Sequence, residues 1–243
     1  GGMLRYGIPD YRLPPDVLDH DIDYILAAGV EVKTGVCVGR EVQVPDLQKD
    51  YDAVYVAIGA HADKKLGLEG EDSENVLSAV ELLRNCGEGN APEFTGKRVV
   101  VIGGGNVSMD ATRTAIRLGA ESVTCVYRRR VDDMTALPEE IEDALAEGCQ
   151  ILPLQAPHRI EADENGRVAA LWTRPQIIGG YGRDGRPGPR NAAEKEFRIP
   201  ADYIIIAIGQ RIESDEFEKG GIETSHGALK ADLSGYVPGT PNV

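Results

Sequence analysis

Apolar and polar positions along this chain follow two periods, and the points where the period changes divide it into elements. Val17, Leu18, Ile22, Ile25 and Leu26 recur at helical spacing across residues 16–28, with Gly29 as the stop, so a helix is predicted there. Residues 30–34 alternate as a strand does, and residues 52–58 form another strand-sized apolar run ending at Gly59. Residues 75–85 read as a helix. Residues 85–96 hold three glycines, a proline and no apolar period, which predicts a linker.

A fresh unit starts at Lys97. Residues 98–102 read as a strand, Gly103-Gly104-Gly105 as a turn, and residues 107–118 as a helix stopped by Gly119. A second strand follows at 122–127. An amphipathic helix over 137–147 carries Pro138 in its first turn and Gly148 at its end, and residues 150–154 make a third parallel strand. The pattern then changes: residues 158–162 and 168–174 flank Asn165-Gly166, a hairpin signal. Residues 179–189, rich in glycine and arginine, read as a mobile hairpin tip with no chemistry of its own. A last apolar strand at 203–208 ends at Gly209. The fold class predicted is α/β, a Rossmann-like dinucleotide-binding domain of parallel sheet plus antiparallel meander.

Composition narrows the function classes. The 243 residues carry a formal net charge of -14, which opposes broad nucleic-acid binding and binding to anionic membranes. No apolar run approaches the roughly 20 residues that span a bilayer, and no signal-peptide pattern opens the chain, so a cytoplasmic setting is expected. Cys37, Cys86, Cys125 and Cys149 lie far apart, as do the four histidines, so neither a redox dithiol nor a metal site is expected. Cys125, inside a strand, reads as a small buried thiol.

The sharpest chemistry is Gly103-x-Gly105-x-x-Ser108, placed after a strand and opening a helix. Gly103 permits the tight turn, and Gly105 lets the backbone approach a pyrophosphate without a Cβ in the way. Amides at the helix start, from Asn106 and Val107 onward, are placed to donate to phosphate oxygens, helped by the helix dipole. Ser108 stands at the third position, where glycine or alanine is commoner. It is small enough for helix–strand packing, but its hydroxyl needs a partner. At the end of the next strand, where a carboxylate would accept from the ribose of NAD, the sequence reads Tyr127-Arg128-Arg129-Arg130. Guanidinium forks pair with a 2'-phosphate, so Arg128 and Arg129 point to NADPH; the competing reading is a solvated surface run.

With Ala57-Ile58-Gly59 and Ala207-Ile208-Gly209 on either side of this unit, the chain resembles the glutamate synthase small (beta) subunit family, including the NADPH half of dihydropyrimidine dehydrogenase. The segments that carry the resemblance are Gly1–Pro9, Tyr11–Pro14, Gly103–Asp110, Tyr127–Arg129 and Pro138–Glu140. It covers the whole chain. The resemblance implies an NADPH domain over residues 96–210 inserted in an FAD domain, of which 1–95 and 211–243 are pieces. It further implies that Gly2, Met3, Arg12 and Val38 lie against FAD and that Ala207 and Gly209 line the NADPH site. Hydride would pass from NADPH to FAD, then electrons to an iron–sulfur domain or subunit and a large catalytic partner subunit. The family's FAD phosphate turn, its closing Gly-Asp segment and its cysteine clusters are absent here, and Met134-Thr135-Ala136 replaces the commoner Met-Pro-Ala. The FAD site is therefore expected to be incomplete and the fragment inactive by itself. No acid, base or nucleophile is demanded of the chain, because the cofactors carry the electronic chemistry. A non-catalytic dinucleotide-binding scaffold or regulatory module is the alternative.

Overall fold

Val99, Val100, Val101 and Ile102 are all buried, so both faces of this short run are covered, as a central parallel strand requires. The computed structural model describes residues 2–182, 185–225, 227–240 and 242–243. It divides into two units, Gly1–Pro15 with Asp63–Gly209, and Asp16–Ala62 with Gln210–Val243.

In the first unit the elements run α1 (Met3–Tyr6), β1 (Val76–Ser78), α2 (Ala79–Gly87), β2 (Arg98–Ile102), α3 (Asn106–Arg117) and β3 (Ser122–Val126). They continue as α4 (Pro138–Ala146), β4 (Gln150–Leu152), β5 (Gln155–Ala162), β6 (Val168–Tyr181), β7 (Pro187–Asn191), β8 (Phe197–Pro200) and β9 (Tyr203–Ile206). Five strands form one parallel sheet in the order β1-β9-β2-β3-β4. The chain steps from β2 through α3 to β3 and through α4 to β4, then returns much later to lay β9 on the other side of β2. The strand order therefore reverses between β2 and β9. In open α/β sheets, ligands bind beyond the carboxyl ends of the strands at such a reversal.

Alternate β2 residues serve different layers, as the period of two demands. Val99 and Val101 pack with Leu82, Phe94, Ala111, Ala115 and Ile205. Val100 and Ile102 pack with Ile160, Val168, Leu171 and Ile199 of the antiparallel strands. In that antiparallel sheet β6 is the spine, paired with β5, β7 and β8. The β5–β6 turn closes on Asp163, whose carboxylate accepts from the Asn165 and Arg167 amides, with Gly166 at φ 80°.

Several sequence expectations are corrected. Residues 75–85 do not begin as a helix: residues 76–78 hydrogen-bond to β9 as the outermost parallel strand, and the helix starts at Ala79. Pairing to a neighbouring strand overrides local propensity there. The first unit takes in β1 and α2 together with the rest of the parallel sheet, and a unit boundary falls after Gly209. Within the tip expected over 179–189, residues 179–181 and 187–189 are strand, Tyr181 facing Pro187. Arg183 and Asp184 of that tip lie outside the described residues, as does Gly1 of the first family segment.

The second unit is built on the helices Pro15–Ala27, Val44–Asp50 and Asp215–Lys219. Its core is Val44, Phe217, Ile222, Val237 and Val243, with Val38, Val54, Val56 and Ile58 packed against it. The strands expected at 30–34 and 52–58 are not formed. Val30 and Val32 are exposed, and Val54 donates its amide to the Asn242 carbonyl at 2.7 Å. A strand exists only with a partner beside it, and the described residues of this unit supply none for either run. Among the described residues, no helix is long and apolar enough to cross a membrane.

Candidate functional site

The turn after β2 sits at the strand-order reversal, and its three glycines answer to different constraints. Gly103 has φ 152°, and a Cβ there would meet the Ala207 carbonyl and the Ser108 hydroxyl at 2.3 Å. A Cβ on Gly104 would lie 2.5 Å from the Tyr127 ring. Gly105, by contrast, has ordinary backbone angles, φ -106° and ψ 178°, and its Cβ would touch only Thr135 Oγ1, at 3.4 Å. Among the described residues, no other atom comes within 4 Å of that position, so that glycine fits a ligand's approach rather than the fold.

Helix α3 begins directly after it. Ser108 and Met109 already donate their amides to the Gly105 carbonyl. Among the described residues, the amides of Gly105, Asn106 and Val107 have no protein acceptor. Three unpaired donors at the positive end of a twelve-residue helix are the arrangement that binds a pyrophosphate. Ser108 is fully buried, and its hydroxyl donates to the Ala207 carbonyl at 3.3 Å, the partner this position needs. That bond ties the turn to the end of β9. Ala207 also donates its amide to Ile102 at 2.8 Å, and Gly209 holds φ 111° as the chain leaves the sheet. The Asn106 side chain accepts from the Leu137 amide at 2.8 Å, while Thr135 and Ala136 donate to the Gly104 carbonyl, so residues 135–137 frame the turn. Val107 packs into the core against α2 and β2.

Beyond β3 the arginine run alternates. Tyr127 and Arg129 are buried, whereas Arg128 and Arg130 are exposed. Arg130 forms an ion pair with Asp133 at 2.9 Å, which holds that carboxyl below its usual range. Arg129 donates Nε to the Pro187 carbonyl at 2.8 Å. Arg128 has no partner among the described residues. The two side chains that the sequence puts forward together are thus not equivalent: one cation faces outward unpaired, and its neighbour is turned into the β6–β7 hairpin. Of the two carboxylates that follow the arginine run, Asp133 is paired with Arg130, and Asp132 is exposed without an ion pair among the described residues. Sequence reasoning gives no role to the Tyr127 side chain or to Arg186, although the alternation of an extended run is a signal for the first.

The residues that the resemblance sets against FAD divide between the units. Gly2, at φ 59°, Met3 and Arg12 belong to the first, and Val38, partly buried, to the second. Neither unit by itself assembles the set. Arg12 Nη1 donates to both carboxylate oxygens of Asp110 on α3, at 2.9 and 2.8 Å, and its Nε pairs with Glu140 on α4 at 2.8 Å. Arg113 continues this network to Glu140, Asp143 and Glu147, and lies 4.6 Å from the Tyr11 ring centroid. Burial and the nearby Asp110 carboxylate push the Tyr11 hydroxyl up to about 12. The segment before Pro15 is thereby fastened to the helix that opens at the phosphate turn.

The sequence pattern of the family described as pyridine nucleotide-disulphide oxidoreductase matches residues 14–243. The chain belongs to this family. It is 39% identical over 245 residues to the NADP(+)-dependent formate dehydrogenase subunit beta of Moorella thermoacetica, covering 98% of this chain and 34% of that protein. It is 36% identical over 227 residues to the NADPH glutamate synthase small chain of Escherichia coli K12, covering 89% and 48%. The chain thus spans a third to a half of these curated relatives. Among solved structures, Mycobacterium tuberculosis FprA in complex with NADPH superposes with a TM-score of 0.77 at 21% identity, over 99% of this chain and 68% of that one, a likeness of fold. All four cysteines are free. Cys125 and Cys149 are buried, which pushes the Cys149 thiol up to about 11 and the Cys125 thiol higher still. Buried neutral thiols are poor nucleophiles.

Proposed function

We propose that the chain is the NADPH-binding core of an FAD-dependent oxidoreductase that passes hydride from NADPH to FAD. The observation that carries the reading is the open turn at the β2/β9 reversal, with three unpaired amides, and an exposed guanidinium without a partner among the described residues at the end of the neighbouring strand β3. The amides of Gly105, Asn106 and Val107 would hold the pyrophosphate. Arg128, assisted by Arg129, would take the 2'-phosphate, and a carboxylate in its place would repel that group. Ala207 and Gly209 would line the site from the end of β9. FAD, when bound, supplies the hydride acceptor. The chain's own part is orientation, with no proton transfer by a side chain.

Residues 96–210 are proposed as the NADPH domain, and 1–95 with 211–243 as pieces of the FAD domain, Gly2, Met3, Arg12 and Val38 lying against the flavin. The names of the relatives, a formate dehydrogenase subunit and a glutamate synthase small chain, favour onward transfer. The proposed route runs through iron–sulfur centres to a partner subunit such as glutamate synthase, in the cytoplasm. In the flavin-loaded protein under anaerobic conditions, NADPH is expected to bleach the flavin absorbance, and NADH to do so at least about 10-fold less effectively. A flavin that ignores both nucleotides would favour the scaffold reading instead.

A further inference from the structure

The antiparallel hairpin β6–β7 plays no part in the parallel-sheet logic of nucleotide binding, yet two bonds join it to the arginine-bearing segment. Tyr127 donates its hydroxyl to the Asp133 carbonyl at 2.8 Å, closing residues 127–133 into a ring. Arg186, just before β7, donates Nη2 to that same hydroxyl and that same carbonyl, both at 2.7 Å. The adjacent Pro187 carbonyl accepts from Arg129 Nε at 2.8 Å. The hairpin therefore grips the segment at both ends of the ring and at its middle. The backbone explains why these side chains meet. Gln155 donates to the Tyr127 carbonyl and Leu154 to the Arg129 carbonyl, each at 3.0 Å, so residues 127–129 stay extended past the end of β3. In an extended run, 127 and 129 share one face and 128 takes the other. The face that meets the hairpin is buried, and the opposite face presents Arg128.

We propose that the β6–β7 hairpin is a specificity brace, in which Arg186 and Arg129 are positioning residues that fix the ring and so aim Arg128 at the 2'-phosphate. This rests on the NADPH reading above. A long, flexible guanidinium on an unbraced loop would lose both backbone and rotamer freedom on binding, and the brace removes the backbone share beforehand. NADH lacks the 2'-phosphate, so its affinity has little stake in where Arg128 points. Arg129 changes role accordingly, from a direct phosphate ligand to the pin that turns its neighbour outward.

Calorimetric titration with NADPH and with NADH tests this on the intact chain and on four variants: Arg186→Ala, Tyr127→Phe, Arg128→Ala and the Arg128→Ala, Arg186→Ala double. Arg186→Ala is expected to weaken NADPH about 10-fold and NADH less than about 2-fold. Tyr127→Phe, which removes only a hydroxyl and keeps the ring packed on Gly104, is expected to shift the preference in the same direction by a smaller factor. In the Arg128→Ala background, Arg186→Ala should change NADPH affinity by less than about 2-fold, since there is no longer a group to aim. Equal weakening of both nucleotides would overturn the proposal, because a merely structural brace would do that. So would a full loss that persists in the Arg128→Ala background, which would place Arg186 on the phosphate itself. If Arg128→Ala alone leaves the NADPH preference intact, the failure belongs to the NADPH reading and not to the brace.

Discussion

Replacing Gly103 with alanine is expected to destabilise the nucleotide-binding unit by more than about 3 kcal/mol, whereas the same change at Gly105 should leave the fold intact and remove the ligand. At φ 152° an L-residue is strained, and the added methyl would sit 2.3 Å from the Ala207 carbonyl, part of the backbone that carries β9 out of the sheet. Relieving that clash means parting β9 from the turn, which also breaks the Ser108 bond to the same carbonyl. At Gly105 the methyl meets only Thr135 Oγ1 at 3.4 Å, so stability should change by less than about 1 kcal/mol. The methyl would, however, occupy the approach to the amides of 105–107. Hydrogen bonds to charged groups contribute about 1.5–3 kcal/mol each, so losing two of them costs NADPH affinity on the order of 100-fold or more. Urea denaturation reads the first effect and calorimetry the second. A folded Gly103→Ala of native stability, or a Gly105→Ala with undiminished NADPH affinity, would each count against the geometry of the turn.

Arg12→Ala is the second large effect. The Asp110 side chain is 4% exposed and depends on Arg12, itself 23% exposed, for its counter-charge. Burial already pushes the Asp110 carboxyl above its ordinary value, with Arg12 pulling the other way. Removing the guanidinium leaves a buried carboxylate uncompensated, and at pH 7 the expected loss is about 3 kcal/mol. The sign of the pH dependence follows from the raised value. The folded state holds the proton more tightly than the unfolded state, so the deficit should be small at acidic pH and grow as pH rises through the folded-state value. The double variant Arg12→Ala, Asp110→Asn should recover part of the loss at pH 7, since the buried charge is gone. Denaturation of both variants at pH 5 and pH 7 checks this. An equal loss at both pH values, or no recovery in the double variant, would mean that Arg12 acts through packing alone.

The parts of this fold governed by local rules were readable in advance. The run from Arg98 to Ser108 carries its own signals: a buried apolar strand, glycines where a turn is needed, and a helical period after them. The Asn165-Gly166 hairpin is equally local. What was not readable depends on partners distant in sequence. Residues 76–78 become a strand because β9 lies beside them, more than a hundred residues later, while residues 30–34 and 52–58 carry strand-like patterns without a partner alongside. The arginine run shows the same limit within the site. Three identical side chains in a row look interchangeable, but the extended backbone sends Arg129 toward the Pro187 carbonyl and leaves Arg128 outside. Alternation was enough to predict that split; the acceptor that makes it matter lies 58 residues away. Arg12 was put forward through the family resemblance as a flavin contact, and nothing local revealed that Asp110 and Glu140 would hold it.

Family membership fixes the plan of the fold. Cys125 donates weakly to the Gly103 carbonyl at 3.3 Å, behind the phosphate turn, where it serves packing rather than redox exchange.

The central claim is that a single outward guanidinium, at the end of the strand next to the turn with three open amides, selects a nucleotide by its extra phosphate. Competitive calorimetry of NADPH against NADH on the intact chain and on Arg128→Ala tests it most directly. The account predicts a preference of about 10- to 1,000-fold for NADPH that falls below about 3-fold in the variant. Equal affinities in the intact chain, or an undiminished preference after Arg128 is removed, would contradict it.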